Sequence, residues 1–168
     1  SMTVLENVMV GGHIHTYTNP LSLLFRPKRR LETDSALRRR AEEMIDFVGL
    51  RDVVDNEVSA LSFGQGRLLE VARALAARPR IILLDEPAAG LTPDECDRLT
   101  AIIRKVAAEG VAVLLIEHDM RFLLPVADNV VVLNFGRKIA EGKPAEIRQN
   151  PRVIDAYLGK PKPKPGVR

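Results

Sequence analysis

The sequence predicts an α/β protein whose first half is helical. Three observations carry this reading. Short all-apolar runs recur at Ile81–Leu84 and at "VAVLLI" (111–116), as expected for parallel strands buried on both faces, and "VVVLN" (130–134) reads as a third strand. Segments with helical spacing and cap signals alternate with those runs from about residue 80 onward. Residues 2 to about 78, by contrast, read as helical.

Thr3–Val10 is short, apolar and helix-compatible, and Gly11-Gly12 is expected to break it. The segment 13–33 holds Pro20, Pro27 and the basic run "RPKRR" (26–30), and reads as loop with at most a short helical piece. From Ala36 to Val48 the apolar residues Leu37, Ala41, Met44, Ile45 and Val48 share one helix face. Gly49 is the expected stop. A further helix spans about Gly64 to Ala77, burying Leu68, Leu69, Ala72, Leu75 and Ala76, with Pro79 limiting it.

After the strand at 81–84, Thr92-Pro93-Asp94-Glu95 combines an N-cap, a proline at the first helical position and a capping box. Leu99, Ile102, Ile103 and Val106 face inward from that helix, and Gly110 ends it. A short helix at Met120–Val126 precedes the third strand, and Phe135-Gly136 reads as a hairpin turn into "RKIAE". Pro144 starts a helix to about Gln149, and Pro151 starts another to Leu158 with Gly159 after it. The "KPKPKPG" segment (160–166) is expected to be a solvated, extended tail. No internal repeat occurs.

Composition narrows the function. Aromatics make up 4% of the 168 residues and Trp is absent, so a base-stacking surface has little to work with. Net charge is +3, too weak to argue for nucleic acid. A single cysteine, Cys96, excludes an intrachain disulfide or a Cys-rich metal site and fits a reducing compartment. No apolar run approaches the length of a membrane span. The basic runs "RPKRR" and "RRR" (38–40) suit a solvated loop and helix face, with headgroups or nucleic acid as the alternative use.

Three stretches carry chemistry. In "IILLDEPAAG" (81–90), Asp85 emerges at the C-terminal edge of a strand, where open α/β sheets bind ligands. A carboxylate there can hold Mg²⁺ through water, and the adjacent Glu86 can orient or deprotonate an attacking water. The plainer alternative is a solvated turn after a strand. The strand at 111–116 ends in Glu117, His118 and Asp119, and His118 could donate to a terminal phosphate if the two strands are neighbours. In "LSFGQ" (61–65), Ser62 can cap a helix whose start is an anion site, with Gly64 allowing close backbone approach. An ordinary capped helix start would show the same residues.

Together, "LSFGQ", "IILLDEPAAGLTP" and "LLIEHDM" resemble, in order and spacing, the signature motif, Walker B strand and switch-histidine loop of an ABC-type ATPase. "TVLENVMVG", "PAAGL" and "NPRVIDAYLG" are similar to the ATP-binding subunits of branched-chain amino acid importers. The resemblance covers Thr3 to Gly159 and implies a P-loop NTPase (ABC ATPase) core with a helical subdomain. It implies that Asp85 assists Mg²⁺, that Glu86 is the catalytic base or water-orienting group, and that His118 contacts the γ-phosphate. Ser62, Phe63, Gly64 and Gln65 would contact ATP held mainly by the second subunit of a head-to-tail dimer, with Ala88–Thr92 at that interface. Transmembrane permease subunits would be the other partners. Nucleic acid is not expected, and the place implied is the inner face of a bacterial plasma membrane.

The implied organisation is a helical subdomain at 2–78, the C-terminal part of the ATPase core at 79–142, C-terminal helices at 143–159 and the tail at 160–168. One part of the pattern is missing. The phosphate loop needs G-x-x-x-x-G-K-[ST]. The Gly-Lys pairs, Gly142-Lys143 and Gly159-Lys160, are both followed by Pro, and neither has Gly five residues before it. The switch glutamine is absent too, the glutamines being Gln65 and Gln149. Thr92 stands where many such ATPases carry Asp, and Gly66 and Leu68 where relatives commonly carry Gln and Arg. Family members place the missing parts upstream of "TVLENV". The expectation is therefore an incomplete core, lacking the N-terminal phosphate-loop part, that is inactive alone and exposes apolar strand edges. Such edges invite self-association or domain swapping. The alternative is a non-catalytic fragment that docks a permease or another subunit without nucleotide.

Overall fold

Thr3 opens the first helix, α1 (Val4–Gly12), with a capping box. Its hydroxyl accepts the Glu6 N–H at 3.2 Å while the Glu6 carboxylate accepts the Thr3 N–H at 2.9 Å. Such a cap stabilises a helix start by about 1 kcal/mol. The computed structural model describes Met2–His13 and Pro27–Tyr157, with side chains from Asp34 onward in the second segment. Readings for 14–26 and 158–168, the tail included, fall outside the described residues.

Gly11-Gly12 does not break α1, contrary to expectation, but forms its last two residues. A Cβ at Gly11 would collide with the carbonyl of Arg73. The glycines serve close helix packing rather than termination. The next helix, α2 (Pro27–Val48), also departs from the sequence reading, because it starts at Pro27 rather than near Ala36. Pro27 suits a first helical turn, whose N–H groups have no intrahelical acceptor. From Pro27 on, the basic run is therefore helix and not loop. Leu37, Ala41, Met44, Ile45 and Val48 are all buried, as their spacing requires. Gly49 takes φ +75°, and the Leu50 N–H donates to the Ile45 carbonyl at 2.9 Å, ending the helix.

Two 3-10 turns, Arg51–Val53 and Val58–Ala60, lead to α3 (Phe63–Ala76). Helices α1, α2 and α3 pack against one another. Leu69, Ala72, Leu75 and Ala76 are buried as expected, whereas Leu68 is only partly so.

Strand β1 (Ile81–Asp85) pairs in parallel with β2 (Ala112–Ile116), in register from Ile81↔Ala112 to Asp85↔Ile116. Between them runs α4 (Pro93–Ala108), which packs against β2 and buries Leu99, Ile102, Ile103 and Val106. The strands are parallel as predicted, but they are not buried on both faces. Ile82 is covered, while Ile81 (52%), Leu83 (68%), Leu114 (50%) and Ile116 (55%) are each at least half exposed. The period of two and the register set these four on one side of the pair. Among the described residues each strand has a single strand neighbour, and no element covers that side.

The chain divides into two units, Ser1–Glu117 and His118–Arg168. The second holds α5 (Met120–Val126), β3 (Val130–Asn134), β4 (Arg137–Gly142), α6 (Pro144–Gln149) and α7 (Pro151–Tyr157). Phe135 and Gly136 both take positive φ, 46° and 73°, so β3 and β4 close as the predicted antiparallel hairpin. Val130, Val132, Ile147 and Val153 form this unit's core. Val131, Leu133 and Phe135 lie exposed on the hairpin. Among the described residues no helix is long and apolar enough to cross a membrane.

Candidate functional site

The acidic pair sits at the end of β1. Asp85 is the last strand residue and pairs with Ile116. Glu86 follows with φ +46°, a left-handed conformation that costs a non-glycine residue of order 1–3 kcal/mol. Surrounding hydrogen bonds hold it there. The Glu86 N–H donates to the Ile116 carbonyl at 2.9 Å, and the Ala89 N–H donates to the Glu86 carbonyl at 3.1 Å. Backbone strain of this kind clusters at sites where a side chain must be aimed.

A residue the sequence reading assigned no role completes the turn. The Glu117 carboxylate accepts the Ala88 N–H at 2.9 Å in a partly buried setting. It therefore anchors the loop that follows Glu86 to the end of β2. The available signal was its position directly after an apolar strand.

The "LSFGQ" stretch forms the start of α3 as predicted. Ser62 Oγ accepts the Gln65 N–H at 3.2 Å, and Gln65 Oε1 accepts the Ser62 N–H at 2.9 Å. Both side chains are thus engaged in a capping box. Phe63 is exposed, with the Arg67 guanidinium 5.1 Å from its ring centre. A Cβ on Gly90 would touch the Phe63 ring, so the turn after the acidic pair lies beside the α3 start. Gly64 is buried.

Between α3 and α4 is a recess of about 170 Å³ lined by Ser62, Gly64, Gln65, Leu68, Leu91 and Glu95, with Arg98 at its side. The Glu95 carboxyl is held below its ordinary value, first by the Thr92 N–H, then by the Thr92 hydroxyl, and also by the Gly64 N–H and Arg98. Asp85 and Glu86 do not line this recess.

His118 opens the second unit. Asp119 beside it caps α5, accepting the Arg121 N–H at 2.8 Å, and binds the Arg121 guanidinium through both oxygens. These bonds, the Arg121 side chain first, hold the Asp119 carboxyl below its ordinary value. The structure thus gathers Ser62–Gln65 with the 88–95 turn, and gathers Asp85 and Glu86 with the end of β2. His118 belongs to the other unit.

Among the described residues no group of three or more His, Cys, Asp or Glu side chains converges to hold a metal. A protein-built cage is therefore not what these residues offer. The exposed Asp85 carboxylate does fit Mg²⁺, which keeps several waters and is bound through one or two carboxylates plus phosphate oxygens. A cradle for those phosphates is not found in the 168 residues.

Comparisons with known proteins match this arrangement. The ABC transporter family model matches residues 1–89, more than half of the chain. A model described as a branched-chain amino acid ATP-binding cassette transporter matches residues 137–162. The chain is 44% identical over 159 residues to the high-affinity branched-chain amino acid transport ATP-binding protein BraF of Pseudomonas aeruginosa, covering 94% of this chain and 62% of that protein. To LivG of Escherichia coli K12, which carries the same description, it is 41% identical over 160 residues, with the same coverage. It thus spans 62% of the length of these curated relatives. Among solved structures, an ATP-binding cassette of an ABC transporter in its ADP conformation superposes with a TM-score of 0.77 at 30% identity, covering 95% of this chain and 63% of the other. A nucleotide-free ATP-binding cassette gives 0.76 at 31% identity, with 95% and 64% covered.

Proposed function

The chain belongs to the ABC transporter family, and on that premise we propose that it serves an ATP-binding subunit energising branched-chain amino acid import. It would supply the signature turn and the acidic pair, but not the phosphate cradle. The observation that carries this reading is the Ser62-capped α3 start lying against the turn that follows Glu86. That places backbone N–H donors and a positive helix end beside a loop that descends from two carboxylates.

The roles proposed are these. Ser62, Phe63, Gly64 and Gln65 face ATP held on the second subunit of a head-to-tail dimer. Asp85 takes a water ligand of Mg²⁺, and Glu86 orients or deprotonates the attacking water, an effect worth about 10²–10⁴ in rate. His118 donates to the terminal phosphate. Bound ATP and Mg²⁺ would supply the phosphoanhydride and the charge neutralisation. The helical part at 2–78 would dock transmembrane permease subunits at the cytoplasmic face of a bacterial plasma membrane, followed by core residues 79–142 and the C-terminal helices.

The open faces at Leu83 and Leu114, and at Val131, Leu133 and Phe135, support a second element of the proposal. Alone, the chain self-associates or swaps strands. Sedimentation at increasing concentration checks this, and a monomer throughout would refute it.

Hydrolysis assays test the main reading. The chain alone is expected to release no phosphate from ATP. Mixed with a family subunit that carries a phosphate loop, it is expected to raise hydrolysis, and Ser62→Arg should cancel the gain. Hydrolysis by the chain alone that disappears in Glu86→Gln would overturn the reading.

A further inference from the structure

We infer that Glu117 is a positioning residue for Glu86: the bond its carboxylate makes to the Ala88 amide keeps Glu86 in its left-handed conformation, and so keeps that side chain aimed from the end of β1. The inference rests on reading Glu86 as the group that orients the attacking water, and it adds to that reading what holds the group in place.

The donors of the turn show where the hold comes from. The Glu86 N–H goes to the Ile116 carbonyl, the Ala89 N–H to the Glu86 carbonyl and the Leu91 N–H to the Ala88 carbonyl. The last two bonds lie within the turn and would travel with it. Pro87, which is buried, has no N–H to give. The Ala88 N–H is donated to Glu117 Oε1 at 2.9 Å. Glu86 is thus bracketed by two bonds to consecutive residues, one from its own amide to Ile116 and one from the Ala88 amide to Glu117.

Backbone preference works against this geometry. A residue before proline is pushed toward extended φ and ψ, yet Glu86 has φ +46°. A carboxylate acceptor gives a charge-assisted bond, roughly twice as strong as a neutral one, and such a bond is of the size needed to offset strain of this kind. Without the acceptor, the turn after Pro87 can rotate and Glu86 can relax to the extended backbone of β1 that precedes it. The hold also reaches the α3 start. Gly90 is in the same turn, and a Cβ on it would meet the Phe63 ring at 3.1 Å, so a turn released at Ala88 would shift against Phe63.

Two replacements separate shape from chemistry. Glu117→Gln keeps an acceptor oxygen, whereas Glu117→Met keeps the length and offers only a weak thioether acceptor. The experiment uses the nucleotide-free, ¹⁵N,¹³C-labelled full chain. Glu86 is expected to show the strong intraresidue HN–Hα cross-peak of a positive φ. Glu117→Met should lose that cross-peak, and should speed hydrogen exchange at the Ala88 amide at pH 7 by about tenfold or more. Glu117→Gln should keep the cross-peak and most of the protection. Should Glu117→Met fail to fold, Glu117→Asp, whose carboxylate is one methylene too short, takes its place with the same expectations. A Glu86 cross-peak that survives in Glu117→Met overturns the inference, even where Ala88 exchanges faster, because Glu117 would then fasten the turn without aiming Glu86. A cross-peak lost in Glu117→Gln as well would overturn it too, because the acceptor would not be the cause. No nucleotide is present, so either result is distinct from a failure of the ATP reading, which the mixed hydrolysis assay reports.

Discussion

Two leucines separate the covered from the open side of the β1–β2 layer. Leu99 on α4 is fully buried (0% exposed), whereas Leu83 on β1 is 68% exposed. Leu99→Ala removes a buried isobutyl group and leaves a cavity, which costs about 2–5 kcal/mol. Full burial of a leucine is worth about 1.5–3 kcal/mol. With only about a third of Leu83 covered, Leu83→Thr should cost about 0.5–1 kcal/mol, and the β-branched replacement suits a strand. Urea melts followed by far-UV circular dichroism measure both, since the chain has no Trp and two Tyr. The melts should be run on dilute chain, where association is weakest. A loss at Leu83 matching that at Leu99 under those conditions would refute the reasoning, because it would mean the β1 face is covered.

Gly66 lies within α3, and a Cβ there would meet nothing within 4 Å. Gly66→Ala should therefore raise stability by about 0.5–1 kcal/mol in the same melts. Gly11→Ala should do the reverse, losing about 1–3 kcal/mol as its methyl drives α1 away from the Arg73 carbonyl. The carboxyls of Glu95 and Asp119 both sit below their ordinary values of 4.5 and 3.8. Their stabilising contribution is intact above those ordinary values and is lost as pH falls through the lower folded-state values. Acid melts of Glu95→Gln should accordingly lose less stability than the unmodified chain between pH 5 and about pH 3, a difference absent at pH 7 to 5.

Local signals were legible in the sequence and tertiary ones were not. Thr92-Pro93-Asp94-Glu95 specified its helix start, and Leu37 to Val48 specified a buried face, because caps and periodicity depend on residues within a few positions. The Phe135-Gly136 hairpin was legible for the same reason. Gly11-Gly12 misled because the same residue pair suits a helix break and a close helix crossing, and only the Arg73 carbonyl decides between them. The start of α2 at Pro27 was missed because proline marks both loops and first helical turns. The apolar strand runs gave the right elements but the wrong burial, since an all-apolar strand describes what could cover it and not what does.

At the candidate site, the residue types and their order were readable, and the ties between them were not. Glu117 reaches Ala88 across 29 positions, and Glu95 packs its carboxylate beside Gly64 on a different helix. Neither contact leaves a mark in local spacing. The positive φ of Glu86 is likewise set by the hydrogen bond to Ile116 on the neighbouring strand.

The most direct test is titration of ATP into the chain in Mg²⁺ by calorimetry, with Glu86→Gln alongside. With Ser62–Gln65 and the acidic pair but no phosphate cradle, neither protein is expected, on the proposed reading, to bind at millimolar ATP. Tight, Mg²⁺-dependent binding by the chain alone would contradict this, because some other segment of the 168 residues would then hold the phosphates.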